Sequence, residues 1–302
     1  MENMVFQKKI QEFLPEISFR FAEPMKNHTS FRIGGPVEAM AFPKNAEELS
    51  GILKVSKLLD LNIRILGAGT NILAPDEGIS GLVICLKDCI DGMELLPGDR
   101  IRVAAGVSMA RAAMFAAGKG LSGLEFAHGI PGTVGGGVYM NAGAYGGEIC
   151  QVCESVDVMD MDGNIHTYTG DEMNFSYRHS RLEDEGGIVL SAVFVLTPKP
   201  ENEIREKMQE LIAKRRASQP LDKPSAGSAF KRPVGGYAAA LIDGAGLKGY
   251  RVGDAAVSEK HAGFVVNVGD ATAADVQELL RQVSDKVFEN SGIRIEPEVR
   301  IW

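Results

Sequence analysis

Residues 123–148 read GLEFAHGIPGTVGGGVYMNAGAYGGE. Nine of these 26 residues are glycine, and only Glu125, His128 and Glu148 could carry charge. Glycine at this density belongs to a flexible linker or to backbone that must pass very close to something. Linkers are filled with Ser, Glu, Lys or Gln. This run carries Phe126, Ile130, Val134, Val138, Tyr139, Met140 and Tyr145 instead, residues of a packed interior. It is expected to be an ordered, buried ligand cradle, in which glycine lets main-chain N–H groups reach a phosphate or a flat ring with no Cβ in the way.

A second glycine turn lies upstream. The strand-like residues 63–66 run into Gly67, Ala68, Gly69, Thr70, Asn71 and Ile72. Strand, glycine turn and small polar residues suit a phosphate cradle of backbone amides. No third glycine opens a helix, so this is not a Rossmann fingerprint. Two such turns in neighbouring α+β units suggest one long ligand, and a dinucleotide such as FAD has the length and a central diphosphate. Two unrelated structural turns remain the other reading.

The rest of the chain arranges itself around these turns. Residues 1–20 read as an amphipathic helix with Phe6, Ile10, Phe13 and Leu14 on one side. A helix over 46–60 has Asn45 as its cap and Glu48 at the capping-box offset. A strand over 81–86 closes the first unit. The second unit has a hairpin-like stretch leading to 101–105, a helix over 108–119, the cradle, a hairpin over 155–169 turning at Asp162-Gly163, and an apolar strand over 187–196. A helix over 201–217 precedes Pro220 and Pro224, which mark a domain boundary. The last part holds a short helix over 237–243, a strand over 263–268, a helix from Ala273 to Gly292 with a Thr272/Asp275 capping box, and a strand-like end over 293–302. The expected division is 1–87, 88–217 and 218–302.

Composition bounds the function. The chain has 302 residues, 45% hydrophobic and 24% charged, with a net charge of −8. That balance argues against a nucleic-acid or anionic-membrane partner. No apolar run approaches the ~20 residues of a membrane span, and the first residues have no signal-peptide core. A cytoplasmic protein without membrane insertion is expected. Cys150 and Cys153 have C-x-x-C spacing, but no second pair follows; with Cys85 and Cys89 they read as buried free thiols, and no metal is expected.

Three places could carry chemistry. Ser228, in Ala226-Gly227-Ser228-Ala229-Phe230-Lys231, could be a nucleophile, a proton donor or a turn residue; the G-x-S-x-G pattern is absent. Arg178, among Phe175, Tyr177 and Ser180, suits an arginine paired with an anion or one bridged for structure. Glu298 and Glu296 would share a face of a half-buried strand, so one could point into a site or both onto an exposed surface.

GAGTNIL, GIPGTVGGGVYMNAGAYGGE, SYRHS, AGSAFKRP and EPEVRIW, in this order and spacing, resemble the bacterial UDP-N-acetylenolpyruvoylglucosamine reductases from about Asn27 to the end. The resemblance implies an α+β fold: the FAD-binding fold of the p-cresol methylhydroxylase and vanillyl-alcohol oxidase type, two subdomains plus a C-terminal substrate domain. It implies that NADPH reduces FAD and that UDP-GlcNAc-enolpyruvate is then reduced to UDP-N-acetylmuramate in peptidoglycan precursor synthesis. Arg178 and a protonated Glu298 would support the negative charge that forms on the carboxylate, and Ser228 would donate a proton to the adjacent carbon. Gly67, Ala68, Gly69, Thr70, Asn71 and Ile72 would hold the FAD diphosphate. Gly129, Ile130, Pro131, Gly132, Thr133, Gly135 and Gly136, with Asn141, Ala142, Gly143 and Ala144, would line the cofactor. Arg215, Gln219 and Lys231 would face the UDP-sugar or NADPH phosphates, and Tyr145 would contact ligand.

Two features qualify the match. His128 stands where a smaller or aromatic residue is expected. Only 49 residues separate Arg178 from Ser228, so the chain resembles the shorter type without an inserted tyrosine loop. The 67–73 turn has no histidine to tether the cofactor, so FAD is expected to be non-covalent, in a chain expected to be a monomer. Another flavoenzyme of the same fold, a sugar or hydroxy-acid oxidase, is one alternative; a non-catalytic flavin- or nucleotide-sugar-binding protein is the other.

Overall fold

A computed structural model describes residues 2–302, with side chains from Gln7 onward; Met1 and the Phe6 side chain, part of the expected N-terminal helix face, lie outside the described residues. The chain forms two compact units. One comprises residues up to 21, 39–68 and 81–214; the other comprises 22–38, 69–80 and 215–302.

The first unit contains two sheets. In one, Ile63–Leu66 pairs parallel with Ile79–Cys85, placing Ile63 opposite Leu82, and the order continues through Pro36–Phe42 to Ser18–Pro24. The helix Ala46–Leu58 packs into this core because Leu49, Ile52 and Leu53 recur at helical spacing and are buried. Its start is fixed as expected: Asn45 Oδ1 accepts the Glu48 amide at 2.8 Å, and Glu48 accepts the Lys44 amide. Such a cap is worth ~1 kcal/mol. The N-terminal helix stops at Phe13, and residues from Ser18 are strand, so the helix expected over 1–20 is shorter. The Pro15 ring removes an amide just past its end.

The other sheet has five antiparallel strands in the order Ile165–Thr169, Cys153–Met159, Ile188–Val195, Arg100–Ala104, Met93–Leu96. Val156, Ala192 and Val103 stand opposite one another across the three central strands, all fully buried. The period-2 alternation therefore aims one face at the core. On that face lie the helices Met109–Gly118 and Val134–Tyr139. Ala112, Ala113, Ala116 and Ala117 are buried, and their small side chains bring the first helix close in.

In the second unit the strands Ser225–Ser228, Phe264–Asn267, Ala255–Val257 and Arg251–Val252 form one sheet. The helix Ala273–Ser291 packs its Val276, Leu279, Leu280, Val283 and Val287 stripe into the same core. Each such side chain contributes roughly 1.5–3 kcal/mol. The expected capping box is present, and Gly292 ends the helix at φ 71°. Phe31, Ile33 and Leu73 join this core from the two inserted segments. The expected C-terminal strand is reduced to Arg300–Ile301, which pairs parallel with Ile72–Leu73. Pro297 supplies no amide to extend that ladder.

Among the described residues no helix is long and apolar enough to cross a membrane, and no three His, Cys, Asp or Glu side chains converge as a metal site. All four cysteines are free, but Cys150 is exposed and Cys89 half-buried, so only Cys85 and Cys153 match the buried reading.

Candidate active site

In the first unit the cradle is a folded object rather than a loop. Residues Glu125–Gly129 form a tight turn, and Val134–Tyr139 a short helix capped by Thr133. Two amides at its start are spent on the neighbouring strand end: Val134 donates to Val107 O at 2.8 Å and Gly135 to Ala105 O at 2.9 Å. A Cβ on Gly135 would sit 2.9 Å from the Ala105 Cβ. Chain packing, not ligand, explains that glycine.

The first glycine turn meets the cradle at one point. A Cβ on Gly67 would lie 2.6 Å from Thr133 Oγ1. Ala68 follows directly. Among the described residues the amides of Ala68, Gly132 and Thr133 donate to no acceptor, and the buried His128 Nδ1 has no partner. A buried amide without an acceptor is rare in a native protein. Unused donors beside two glycine-rich turns fit a group with phosphate and carbonyl oxygens, and FAD is such a group.

In the stretch Asn141, Ala142, Gly143 and Ala144 the asparagine side chain has a structural task. Asn141 is buried at φ 44°, and its amide side chain donates to Ser176 O at 2.9 Å and accepts the Cys150 amide at 3.0 Å. It is a strut. The strut pins the turn 176–179, where Ser176 and His179 exchange both backbone bonds. Ser180, fully buried, anchors the far side by donating to Tyr139 O at 2.6 Å. Arg178, at φ 58°, projects from this clamped turn; its Nη2 donates to Gly143 O at 3.1 Å, and its guanidinium lies 5.1 Å from the Tyr177 ring. Tyr145 is exposed at φ 53°. Ile130 and Gly129 are half-buried, Pro131 and Gly136 exposed.

The second unit gathers the remaining residues. Gly69 has φ 62°, and a Cβ there would meet His28 O at 2.0 Å. Here too the glycine answers a neighbouring carbonyl. Ser30 ties this turn down: its amide donates to Gly69 O at 3.0 Å and its hydroxyl to Ser225 O at 2.6 Å. Asn71 Nδ2 donates to Glu298 O at 3.2 Å, and Asn71 O accepts the Arg300 amide at 3.0 Å. Ser228 ends the strand Ser225–Ser228, next to Gly227 at φ 78°. The residue after it, Ala229, donates to Gly263 O and accepts the Glu298 amide, both at 2.8 Å. Residues 69–72, Ser228 and Glu298 thus share one hydrogen-bonded frame.

Ser228 Oγ is exposed and makes no hydrogen bond among the described residues. Glu298 is half-buried, whereas Glu296 is exposed and faces Lys231 at 3.5 Å. The two acids therefore differ in exposure. Arg215 and Gln219 occupy the end of the helix Glu201–Ser218 and the residue beyond it, joined by Gln219 N to Arg215 O at 2.9 Å. Gln219 Oε1 is buried without a partner.

Sequence reasoning missed the struts. Ser30, Ser176 and Ser180 act through hydroxyls and carbonyls distant in sequence, and no spacing announces them. The positive φ of Arg178, within the clamped turn, has no sequence signal of its own.

Comparison with known proteins bears on both units. Residues 37–169 match an FAD binding domain, and residues 219–302 match the C-terminal domain of UDP-N-acetylenolpyruvoylglucosamine reductase. A UDP-N-acetylenolpyruvoylglucosamine reductase of Agathobacter rectalis is 48% identical over 99% of this chain and 98% of its own length. That of Lactococcus lactis subsp. cremoris is 45% identical over 96% of each. The crystal structure of UDP-N-acetylenolpyruvylglucosamine reductase (MurB) from Thermus caldophilus superposes with a TM-score of 0.80 at 38% identity, covering 95% of this chain and 99% of that one. The fold expected from the sequence, an FAD-binding α+β fold with a C-terminal substrate domain, is the one found. The chain belongs to the UDP-N-acetylenolpyruvoylglucosamine reductase family and is an FAD-dependent oxidoreductase.

Proposed function

We propose that the chain reduces UDP-GlcNAc-enolpyruvate to UDP-N-acetylmuramate for peptidoglycan synthesis, with NADPH as reductant and Arg178, Ser228 and Glu298 as its catalytic residues. Family membership supports the reaction. Bound FAD would supply the hydride chemistry between NADPH and the vinyl methylene carbon of the enolpyruvyl group. The remaining steps fall to the side chains. Hydride addition drives negative charge onto the substrate carboxylate, and preorganised donors are what lowers such a barrier. Arg178 offers a fixed guanidinium from a clamped turn, and Glu298 is the half-buried acid suited to donate when protonated. The adjacent carbon still needs a proton, and Ser228 Oγ is the donor available to give it.

The observation that carries this assignment is the Ser228 hydroxyl, exposed and unspent on backbone that is hydrogen-bonded to Glu298. A hydroxyl is a weak acid and works only when aligned and resupplied; Lys231, three residues on, would tune that supply. The Ala68, Gly132 and Thr133 amides would hold the cofactor diphosphate non-covalently. Arg215, Gln219 and Lys231, with Tyr145, would face the phosphates and the sugar of substrate or NADPH. The division 1–87, 88–217 and 218–302 would then be two cofactor subdomains and one substrate domain in a cytoplasmic monomer. Anaerobic mixing allows a direct test: Ser228→Ala should still be bleached by NADPH while reoxidation by the enolpyruvyl sugar nearly stops. Normal turnover of that variant would remove Ser228 from the mechanism.

A further inference from the structure

The second unit holds a cavity of about 740 Å³ lined by none of the residues assigned to the reaction. Three cationic side chains line it, Lys26 and Arg32 from the segment 22–38 and Lys223 from the segment 215–302. Two carboxylates also line it. Asp76 is already committed, its oxygens accepting the Ala273 and Ala274 amides at 2.8 and 3.1 Å. Its charge is balanced by the positive end of the helix that begins there. Asp270 is left as one carboxylate against three cations. Among the described residues no ion pair or side-chain hydrogen bond engages Lys26, Arg32 or Lys223.

The walls that carry these cations are joined through their backbones. Met25 N donates to Gly35 O at 2.9 Å, Lys26 N to Gly34 O at 3.1 Å, and Gly35 N to Pro75 O at 2.8 Å. A Cβ on Gly35 would lie 2.2 Å from Asp76 O, so the two segments are in backbone contact. Arg32 is held at φ 56°, where a long side chain is disfavoured and glycine or asparagine is usual. The buried Asn267 satisfies the opposite wall: its Oδ1 accepts the Gly269 and Ala271 amides at 3.0 and 3.1 Å, and its Nδ2 donates to Phe31 O at 3.2 Å. With those main-chain donors spent, recognition falls to the three cationic side chains. Beside them Pro224 and Val268, the latter 37% exposed, offer an apolar strip.

We propose that this cavity binds an oligophosphate anion, its phosphates shared among Lys26, Arg32 and Lys223. Where the ligand carries a base, that base lies on the Pro224–Val268 strip. A cavity of about 740 Å³ is far larger than one tetrahedral anion, so several linked phosphates fill it better than one. Arginine supplies a planar fork and each lysine a mobile point charge, the pairing suited to phosphate oxygens.

The test uses the full FAD-loaded chain and isothermal titration with two probes, inorganic tripolyphosphate and ATP. One-site binding by at least one probe is expected, weakening as salt rises. The triple variant Lys26→Gln, Arg32→Gln, Lys223→Gln should lose roughly tenfold or more in affinity, while Lys54→Gln, an exposed lysine of the other unit, should bind as the parent does. ATP binding more tightly than tripolyphosphate identifies a nucleotide as the source; equal binding identifies inorganic oligophosphate. The three side chains are exposed, so the variants should keep the parent's melting temperature and flavin content. Arg32→Gly, which suits the backbone better, should bind more weakly while melting no lower. No heat with either probe at millimolar concentration would overturn the proposal. So would binding that survives the triple variant, that falls equally in Lys54→Gln, or that UDP-GlcNAc displaces.

Discussion

The Glu298 amide donates to the Ala229 carbonyl at 2.8 Å, which places the acid and Ser228 one residue apart across a single backbone rung. The two side chains thereby share one backbone frame, Ser228 at a strand end and Glu298 on a segment tied to it by that bond. Replacing the serine should therefore affect chemistry and not structure. Ser228→Ala is expected to slow flavin reoxidation by about 10²- to 10⁴-fold, with an unchanged melting temperature and unchanged bleaching by NADPH. Equal loss in both half-reactions would point to a structural role.

Arg178 should tolerate no lysine. Its turn is pinned by Asn141 and Ser180, and its Nη2 reaches Gly143 O at 3.1 Å. A lysine keeps the charge and loses the planar fork. Arg178→Lys is expected to lower kcat for the enolpyruvyl half-reaction by roughly 10-fold or more, with little change in melting temperature. Asn141→Ala acts one step back. It removes the strut and leaves buried partners unsatisfied, which should destabilise the chain by about 1–3 kcal/mol in denaturant unfolding.

Gly67 and Thr133 form a second testable contact. Alanine at 67 would put its Cβ 2.6 Å from the threonine hydroxyl, and the backbone or the cap must give way. Gly67→Ala should destabilise by about 1–3 kcal/mol and lower the FAD retained after dialysis. In a Thr133→Ala background the same substitution should do less harm, because the clashing oxygen is gone. A double-mutant cycle measures that coupling; simple additivity would mean the two turns do not meet as described.

The buried thiols give a pH signature. Burial pushes Cys153 up to about 12 and Cys85 to about 11 from an ordinary 9.0. About a unit or more below pH 9.0 both are protonated in the folded and the unfolded chain, and no stability depends on them. As pH rises from there towards 12, unfolded thiols ionise while folded ones hold their protons, so folding stability falls. Cys85→Ala should flatten part of that alkaline slope. In the native protein at pH 8, a disulfide reagent should label Cys150, the exposed thiol, well before Cys85 or Cys153.

Much of this architecture is legible in local signals. The caps at Asn45, Ser108 and Thr272 and the Asp162-Gly163 hairpin appear where short-range chemistry puts them. The glycine run is ordered, as its apolar residues imply, but the reasons for its glycines are only partly legible. Gly69 and Gly135 exist because His28 O and Ala105 crowd them, a fact of distant chain that no composition reveals. The strut made by the Asn141 side chain has no local sequence signal. The inclusion of residues 22–38 and 69–80 in the C-terminal unit is also invisible in the sequence, since it rests on bonds such as Ser30 to Ser225 across 195 positions.

The decisive measurement is an anaerobic stopped-flow trace of flavin absorbance, with NADPH added first and UDP-GlcNAc-enolpyruvate second. Bleaching by NADPH and full recovery on adding the enolpyruvyl sugar, without oxygen, are expected. Bleaching with no recovery would contradict the assigned substrate, and a yellow protein that NADPH leaves unbleached would contradict the assigned reductant.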